Sequence, residues 1–336
     1  MAACSNDDNV TNLVLPLNAY TQTNLVANAA GMNATHIDAN LVNPWGIAFG
    51  PTGNLWVANN GTSTSTVYDG IGNPLGITVS IPGNNPQAGA APTGVVFNWT
   101  TDFAIPGGGP SLFLFAAEDG TISAWNSSNT ATVVANRSTT GAVYKGLALA
   151  ANNGTNFLYA TNFKNNSVDV FDTNFQFVAS FTDSSLPAGY APFGITNIAG
   201  RLFVTFAKQL GPNNVDDDPG VGNGFVDVFA GDGSLLRRFA SNGQLNSPWA
   251  VVLAPSNFGI FSGDILVGNF GDGLISAFSP TGAFLGVLLN SGTTDPLRIN
   301  GLWGLAFGPG FPAAALYFSA GPGFETQGLV GTLTPR

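Results

Sequence analysis

A short apolar phrase that returns six times limits how this chain can fold more than any other feature. It reads WGIAF from Trp45, TGVVF from Thr93, KGLAL from Lys145, FGITN from Phe193, WAVVL from Trp249 and WGLAF from Trp303, at intervals of roughly 48 to 56 residues. After a turn, a second β-rich run follows each copy: LWVAN (Leu55 to Asn59), LFLFAAE (Leu112 to Glu118), FLYATN (Phe157 to Asn162), LFVTF (Leu202 to Phe206), ILVGN (Ile265 to Asn269) and LYFSA (Leu316 to Ala320). A third run comes next in every copy and a fourth in most, as in FQFVASF. Units of four short strands repeated at this period are the blades of a β-propeller, because one such unit cannot bury its apolar faces alone.

The chain is therefore expected to be all-β: a six-bladed β-propeller with four-stranded blades. A single domain over residues 19–336 would follow a tether of residues 1–18, with blades starting near 45, 93, 145, 193, 249 and 303. Six in-phase copies argue against a two-sheet sandwich, and no segment sustains the i, i+3, i+4 pattern of a helix. Alternation in Val168-Asp169-Val170-Phe171-Asp172 marks the outer strands as the more exposed ones. The last copy reaches Arg336 without a fourth strand of its own. Tyr20 to Asn28 offers a spare one, expected to pair with Leu329 to Leu333, close the ring and remove an open sheet edge.

Composition narrows the function. Only 8% of residues are charged and 44% are hydrophobic, the opposite of a disordered chain. With nine Lys and Arg and a net charge of −10, the basic footprint of a nucleic-acid partner is missing. One Cys and one His leave no disulfide framework, no Cys/His zinc site and no Cys–His dyad. His36, in NATHIDAN, reads as an ordinary exposed loop residue. No run approaches the roughly 18 apolar residues of a transmembrane segment. The opening MAACSNDDN resembles the end of a bacterial lipoprotein signal, with Cys4 as the lipidated residue; otherwise Cys4 is a stray thiol in a floppy tail. With a weakly charged, Asn- and Thr-rich surface, this points to an extracytoplasmic setting.

In an antiparallel blade the second strand ends where the first begins, so two sets of residues share one face around the channel mouth. The first ring is Trp45, Thr93, Lys145, Phe193, Trp249 and Trp303; the second is Asn59, Glu118, Asn162, Phe206, Asn269 and Ala320. Asn59, Glu118, Asn162 and Asn269 supply oxygen ligands suited to Ca²⁺, unless the amides cap turns, as Asn commonly does. Gluconolactonase-like and phosphotriesterase-like six-bladed propellers hold a central calcium with a similar column of side chains, although their motif spacing is not reproduced here. Trp45, Trp249 and Trp303 form either an aromatic floor for a sugar or blade-to-blade wedges. Lys145, Phe193 and Lys208 complete the expected ligand contacts. Glu118 and Glu325 are the only glutamates, and both follow a second strand. They are the first candidates for an acid or base, with Asp119 and Asp272 next. A long loop, Lys208 to Gly224, carries Asp216, Asp217 and Asp218, which form either an alternative calcium site or a solvated acidic turn. There is no P-loop, GxSxG or dinucleotide fingerprint.

Several segments, NLVNPWGIAFGP, APFGI, GNGFVDVF, the string from Leu245 to Gly273 and GLWGLAFGPG, resemble a family of uncharacterised bacterial secreted propellers. Its members often carry a PEP-CTERM sorting tail. The resemblance runs from about Tyr20 to Gly331 and implies an exported six-bladed propeller related in architecture to NHL repeats. It implies no activity. The chain departs from that family in having no such tail after Arg336, and in reading Glu325-Thr326-Gln327 where relatives place a His after the acidic residue.

Two functions fit these residues. One is a non-catalytic module that binds a small molecule, a glycan or a surface protein through the Trp-bearing face; scarcity of His, Cys and Lys favours it. The other is a divalent-metal-dependent hydrolase or lyase acting on a lactone, ester or sugar derivative. There Asn59, Glu118, Asn162 and Asn269 would hold the ion, and Glu325 or Asp272 would move the proton.

Overall fold

In every copy the apolar phrase forms the innermost strand of a four-stranded antiparallel blade. A computed structural model describes residues 17–85, 87–308 and 314–336, so most of the expected tether, with Cys4, lies outside the described residues. The inner strands are Pro44–Phe49, Pro92–Phe97, Tyr144–Asn152, Tyr190–Ile198, Pro248–Leu253 and Leu302–Phe307. Blades 1 to 5 each run outward through the next three strands in chain order, as in Leu55–Asn59, Thr64–Tyr68 and Pro74–Ser80 of blade 1. The six sheets form a six-bladed propeller.

Blade 6 is completed from the other end of the chain. Tyr20–Ala27 pairs antiparallel with Leu329–Pro335, from Tyr20 opposite Pro335 to Ala27 opposite Leu329. The closure is anchored by Tyr20, whose hydroxyl donates to the Phe258 carbonyl at 3.2 Å and whose ring lies 4.9 Å from that of Phe258. A fifth, parallel strand, His36–Ile37, extends this blade beside Val26 and Ala27. His36 is thus a half-buried strand residue rather than an exposed loop residue, because the chain after the closing strand turns back along it.

The glycine of the repeated phrase faces the neighbouring blade. A Cβ at Gly46 would lie 2.5 Å from the Thr93 carbonyl, and one at Gly304 would lie 2.6 Å from that of Trp45. Only a residue without a side chain allows the backbones to approach this closely where blade 1 meets blade 2 and blade 6 meets blade 1. In all six blades the ladder slips at the same place, for example between Pro44 and Ile47 and between Leu302 and Leu305. A bulge re-aims the side chain it carries. Here the residue carried is the one that begins the phrase.

Exposure falls on the fourth strands and not on the third. Ser167–Phe171 is largely buried, while most of Phe177–Phe181 is exposed. Asp169 tolerates burial because it accepts hydrogen bonds from Tyr144 Oη (2.9 Å), Asn162 Nδ2 (3.1 Å) and Ser167 Oγ (2.9 Å). The alternating pattern around Asp169 therefore marks a satisfied buried carboxylate, not a solvent face.

Candidate functional site

The pairing of Pro44 with Asn59, Tyr144 with Asn162, Pro248 with Asn269 and Leu302 with Ala320 puts inner-strand starts and second-strand ends on one face. The aromatic members of the first ring meet at the axis and close it. Trp45 stacks on Trp303 with ring centroids 3.4 Å apart, and Phe270 stacks on Trp303 at 3.9 Å. Trp249 stands edge-on to both indoles, and Phe193 lies 5.8 Å from Trp303. Trp45, Trp249 and Trp303 are 3%, 9% and 1% exposed, so the indoles meet one another before they meet solvent. Trp249 Nε1 donates to the Lys145 carbonyl at 3.0 Å, tying blade 5 to blade 3 across the axis.

The second ring is displaced by one residue from its expected line-up. Pro92 pairs with Ala117, so Glu118 is equivalent to Asn60, Phe163, Ala207, Phe270 and Gly321 rather than to Asn59. Neighbouring strand residues face opposite ways, and a one-residue slip exchanges the faces. Asn59, Asn162 and Asn269 accordingly turn into their own blades. Asn59 Nδ2 donates to Thr64 Oγ1 (3.1 Å) and Thr66 Oγ1 (3.0 Å). Asn162 accepts from the Val143 amide (3.2 Å) and donates to Asp169, while Asn269 accepts from the Asn246 amide (3.2 Å) and donates to the Gln244 carbonyl (2.7 Å). These amides do not form one oxygen cage with Glu118. Asp272 and Asp119 cap turns, accepting from the backbone amides of Leu274 and Thr121 at 3.1 Å each.

What gathers above the aromatic plug is a polar group drawn from all six blades. Lys145, 2% exposed, donates through Nζ to Glu118 Oε1 and lies 3.7 Å from Asp216 Oδ1 and 5.0 Å from the Trp45 ring. From blade 1, Asn60 Nδ2 donates to Glu118 Oε2 at 3.0 Å. Asn43 Nδ2 donates to Glu325 Oε1 at 3.1 Å, while Asn43 Oδ1 accepts the Trp303 indole N–H at 3.1 Å. Blade 4 contributes through its long loop, which folds back so that Gln209 bridges Asp217 and the Leu210 amide donates to the Asp216 carbonyl at 2.8 Å. Ser247, on blade 5, is fully buried in the surroundings of Asp217. Asp218 turns away to Lys208, at 2.6 Å, so the three aspartates of this loop serve different partners.

Electrostatics at the mouth are unbalanced. Burial pushes the Asp217 carboxyl above its ordinary range, against the pull of Ser247 and Lys145. Burial raises Glu325 as well; the Asn43 hydrogen bond opposes this and the Glu118 charge adds to it. Among the described residues, Trp45 Nε1, Asp217 Oδ2 and Ser247 Oγ are buried without a well-formed hydrogen bond. Asn43, Ser247 and Glu325 also hold left-handed backbone conformations, with φ of 47°, 46° and 64°. Such strain in non-glycine residues persists only where surrounding structure imposes it. No group of three or more His, Cys, Asp or Glu side chains among the described residues is arranged to hold a metal.

Asn43, Asn60 and Ser247 escaped the reading by residue type. The recurrent proline that precedes the ring residue in four blades, in NPWG, APTG, APFG and SPWA, carries the register that would have revealed them. A cavity of about 480 Å³ lies elsewhere, along the axis beyond the plug. Its walls are the remaining inner-strand residues, such as Ile47, Val95, Leu147 and Ile195. Thr196 and Asn197 are its polar side chains and no ionisable group lines it, so the mouth is the stronger candidate.

No family model matches the chain. Protein R648 of Acanthamoeba polyphaga mimivirus is 37% identical over 325 residues, covering 92% of this chain and 78% of its own length. Protein L690 of the same virus is 39% identical over 320 residues, covering 89% and 82%. The chain belongs to the family of these mimivirus proteins. Both relatives are described as uncharacterised, and being viral they lend no support to the bacterial, PEP-CTERM-bearing family implied by resemblance. Among solved structures, an inactive form of virginiamycin B lyase from Staphylococcus aureus with quinupristin superimposes with a TM-score of 0.56 at 13% identity, covering 94% of this chain and 99% of that one. The gluconolactonase XC5397 from Xanthomonas campestris gives 0.54 at 13% identity, covering 96% and 97%. At such identities the likeness is one of fold.

Proposed function

We propose that this propeller is a binding module whose small polar ligand seats on the channel mouth, above the tryptophan plug. One observation carries the reading: all six blades send a polar group to a single mouth, where Trp45 Nε1, Asp217 Oδ2 and Ser247 Oγ make no well-formed hydrogen bond. A buried polar atom without a hydrogen bond is destabilising by about 1–3 kcal/mol. Three such atoms in one place are accounted for if a ligand completes them. Access is open, since the side chains of Asp216 and Glu118 are 68% and 29% exposed. Specificity would come from the loops and stability from the plug beneath.

The catalytic alternative draws on Glu325, a carboxyl raised by burial and oriented by Asn43, which is the arrangement of a general acid. A divalent ion held by Asn59, Glu118, Asn162 and Asn269 gains no support from the geometry, because three of these side chains turn into their own blades. The only histidine, His36, lies on the outermost strand of blade 6. Binding is therefore the better-supported reading.

A thermal-shift screen of small polar compounds against the whole chain tests it, since a ligand that binds only the native state raises its stability by mass action. Compounds that raise the melting temperature should lose their effect in Asp217→Asn and Glu325→Gln. Hits that survive both changes would locate binding away from the mouth and overturn the proposal.

A further inference from the structure

The mouth carries more negative charge than it balances, and this identifies the chemistry of its ligand. Four carboxylates, Glu118, Asp216, Asp217 and Glu325, gather around one ammonium, that of Lys145. With all of them ionised, four negative charges against one positive leave an excess of three. The other cations that form ion pairs among the described residues do so elsewhere: Lys208 with Asp218, Arg238 with Asp183 and Asp227, and Arg137 near Asp169. Lys145 itself is used by Glu118, whose second oxygen is satisfied by Asn60. Asp216, Asp217 and Glu325 thus share the deficit, and Asp217 Oδ2 makes no well-formed hydrogen bond although the Ser247 hydroxyl faces this side chain. The fully buried Ser247 hydroxyl faces Asp217 without a well-formed hydrogen bond, so its oxygen is left to accept from an N–H group.

We infer that the ligand presents an N–H-bearing organic cation, a guanidinium or primary ammonium group, to Asp216, Asp217 and Glu325. The assignment rests on the mouth being a binding site and adds the class of ligand. A bare divalent ion fits less well for two reasons. It needs several oxygens converging within about 2.3–2.6 Å of one point, and the mouth carboxylates form no such group. It would also sit beside the Lys145 ammonium, which already occupies the place next to Glu118. A guanidinium, by contrast, spreads five donors over a planar fork and can reach acceptors too far apart to share one ion.

Agmatine, a dication that carries both a guanidinium and an ammonium, is the probe, and hexamethonium, a dication of two quaternary ammonium groups, is the control of like charge without N–H donors. Binding to the whole chain is followed by titration calorimetry at low ionic strength and checked by the fluorescence of the plug tryptophans. Agmatine should bind saturably and at least about tenfold more tightly than hexamethonium, with affinity falling as salt is added. Asp217→Asn and Glu325→Gln should each weaken it by about tenfold, whereas Asp172→Asn, in a blade 3 turn, should leave it unchanged. Cooperative melting, well above the temperature of the titration, confirms that the variants fold. Equal binding of the two cations, or saturable Ca²⁺ binding that expels agmatine, would overturn the assignment. Capture of a neutral or anionic compound that Asp217→Asn abolishes would retain the site and discard the cation. Agmatine binding that ignores both mouth variants would discard both.

Discussion

At one end of the axial channel, Trp45, Trp249, Trp303 and Phe270 pack edge and face into a plug crowned by Lys145 and four carboxylates. At the other end the same six inner strands run on through Ile47, Val95, Leu147 and Ile195 and leave an apolar cavity of about 480 Å³. The strands alone do not produce this asymmetry. Every blade has a bulge at the ring residue, so that residue is turned inward, while those after it follow ordinary alternation. The mouth also receives loops: Asp216 and Asp217 come from a fold-back after the second strand of blade 4, and Glu325 from the turn that closes blade 6. Repeated strands give repeated apolar walls. Polar chemistry accumulates where non-equivalent loops converge.

The sharpest way to break this comparison is to remove the plug that separates the two ends. Trp303→Ala should destabilise the protein by about 3–5 kcal/mol, the usual range for deleting a large buried aromatic, read as a shift in the midpoint of denaturant unfolding. A loss below about 1 kcal/mol would show that the indoles do not hold the ring closed.

Next in size is the ion pair above the plug. Lys145→Met should lower stability by about 1–3 kcal/mol, less than for a fully buried pair because Glu118 can rehydrate. Adding Glu118→Gln should recover most of that loss in a double-mutant cycle. If the double variant is no better than the single one, the pair is not the reason for the lysine's burial.

A smaller effect should appear with pH. Asp217 and Glu325 have carboxyls raised by burial, and Asp227 is raised from its ordinary value of 3.8 to about 7, chiefly by burial despite Arg238. Each holds its proton longer in the folded chain than in the unfolded one. Their stabilising contribution is therefore complete below the ordinary carboxylate range and is lost as pH rises through the folded values. The melting temperature should decline from mildly acidic to neutral pH, reaching about 7 through Asp227, and Glu325→Gln should flatten the curve. A melting temperature that climbs steadily over that interval would contradict the assignment of these groups.

The far end should be the least sensitive. Ile195→Val is expected to cost about 0.5–1.5 kcal/mol and to leave ligand binding at the mouth unaltered. A change there that altered agmatine affinity would mean the plug does not insulate the two ends.

Much of this was legible in the residues. The six-fold phrase determined blade number, the inner position of Gly46 and Gly304, and the pairing of Tyr20–Ala27 with the last strand. The shared face of Glu118 and Glu325 followed from strand direction alone. The second ring was read one residue out of step at Glu118, because the end of a strand is invisible without its partner. Counting from Leu112 cannot tell whether Ala117 or Glu118 faces Pro92, although a slip of one decides which side chain enters the channel.

By itself, then, the sequence determined architecture: a periodic apolar signal repeated six times has few ways to be buried, and glycine where backbones nearly touch leaves one of them. Only the tertiary structure decided the site. Asn43 meets Glu325 across a separation of 282 residues, and Lys145 meets Glu118, Asp216 and Trp45 from three other blades. Burial follows a local pattern that residue type can carry. The convergence of single polar side chains from six blades depends on distances set by the closed ring, and no local pattern contains them.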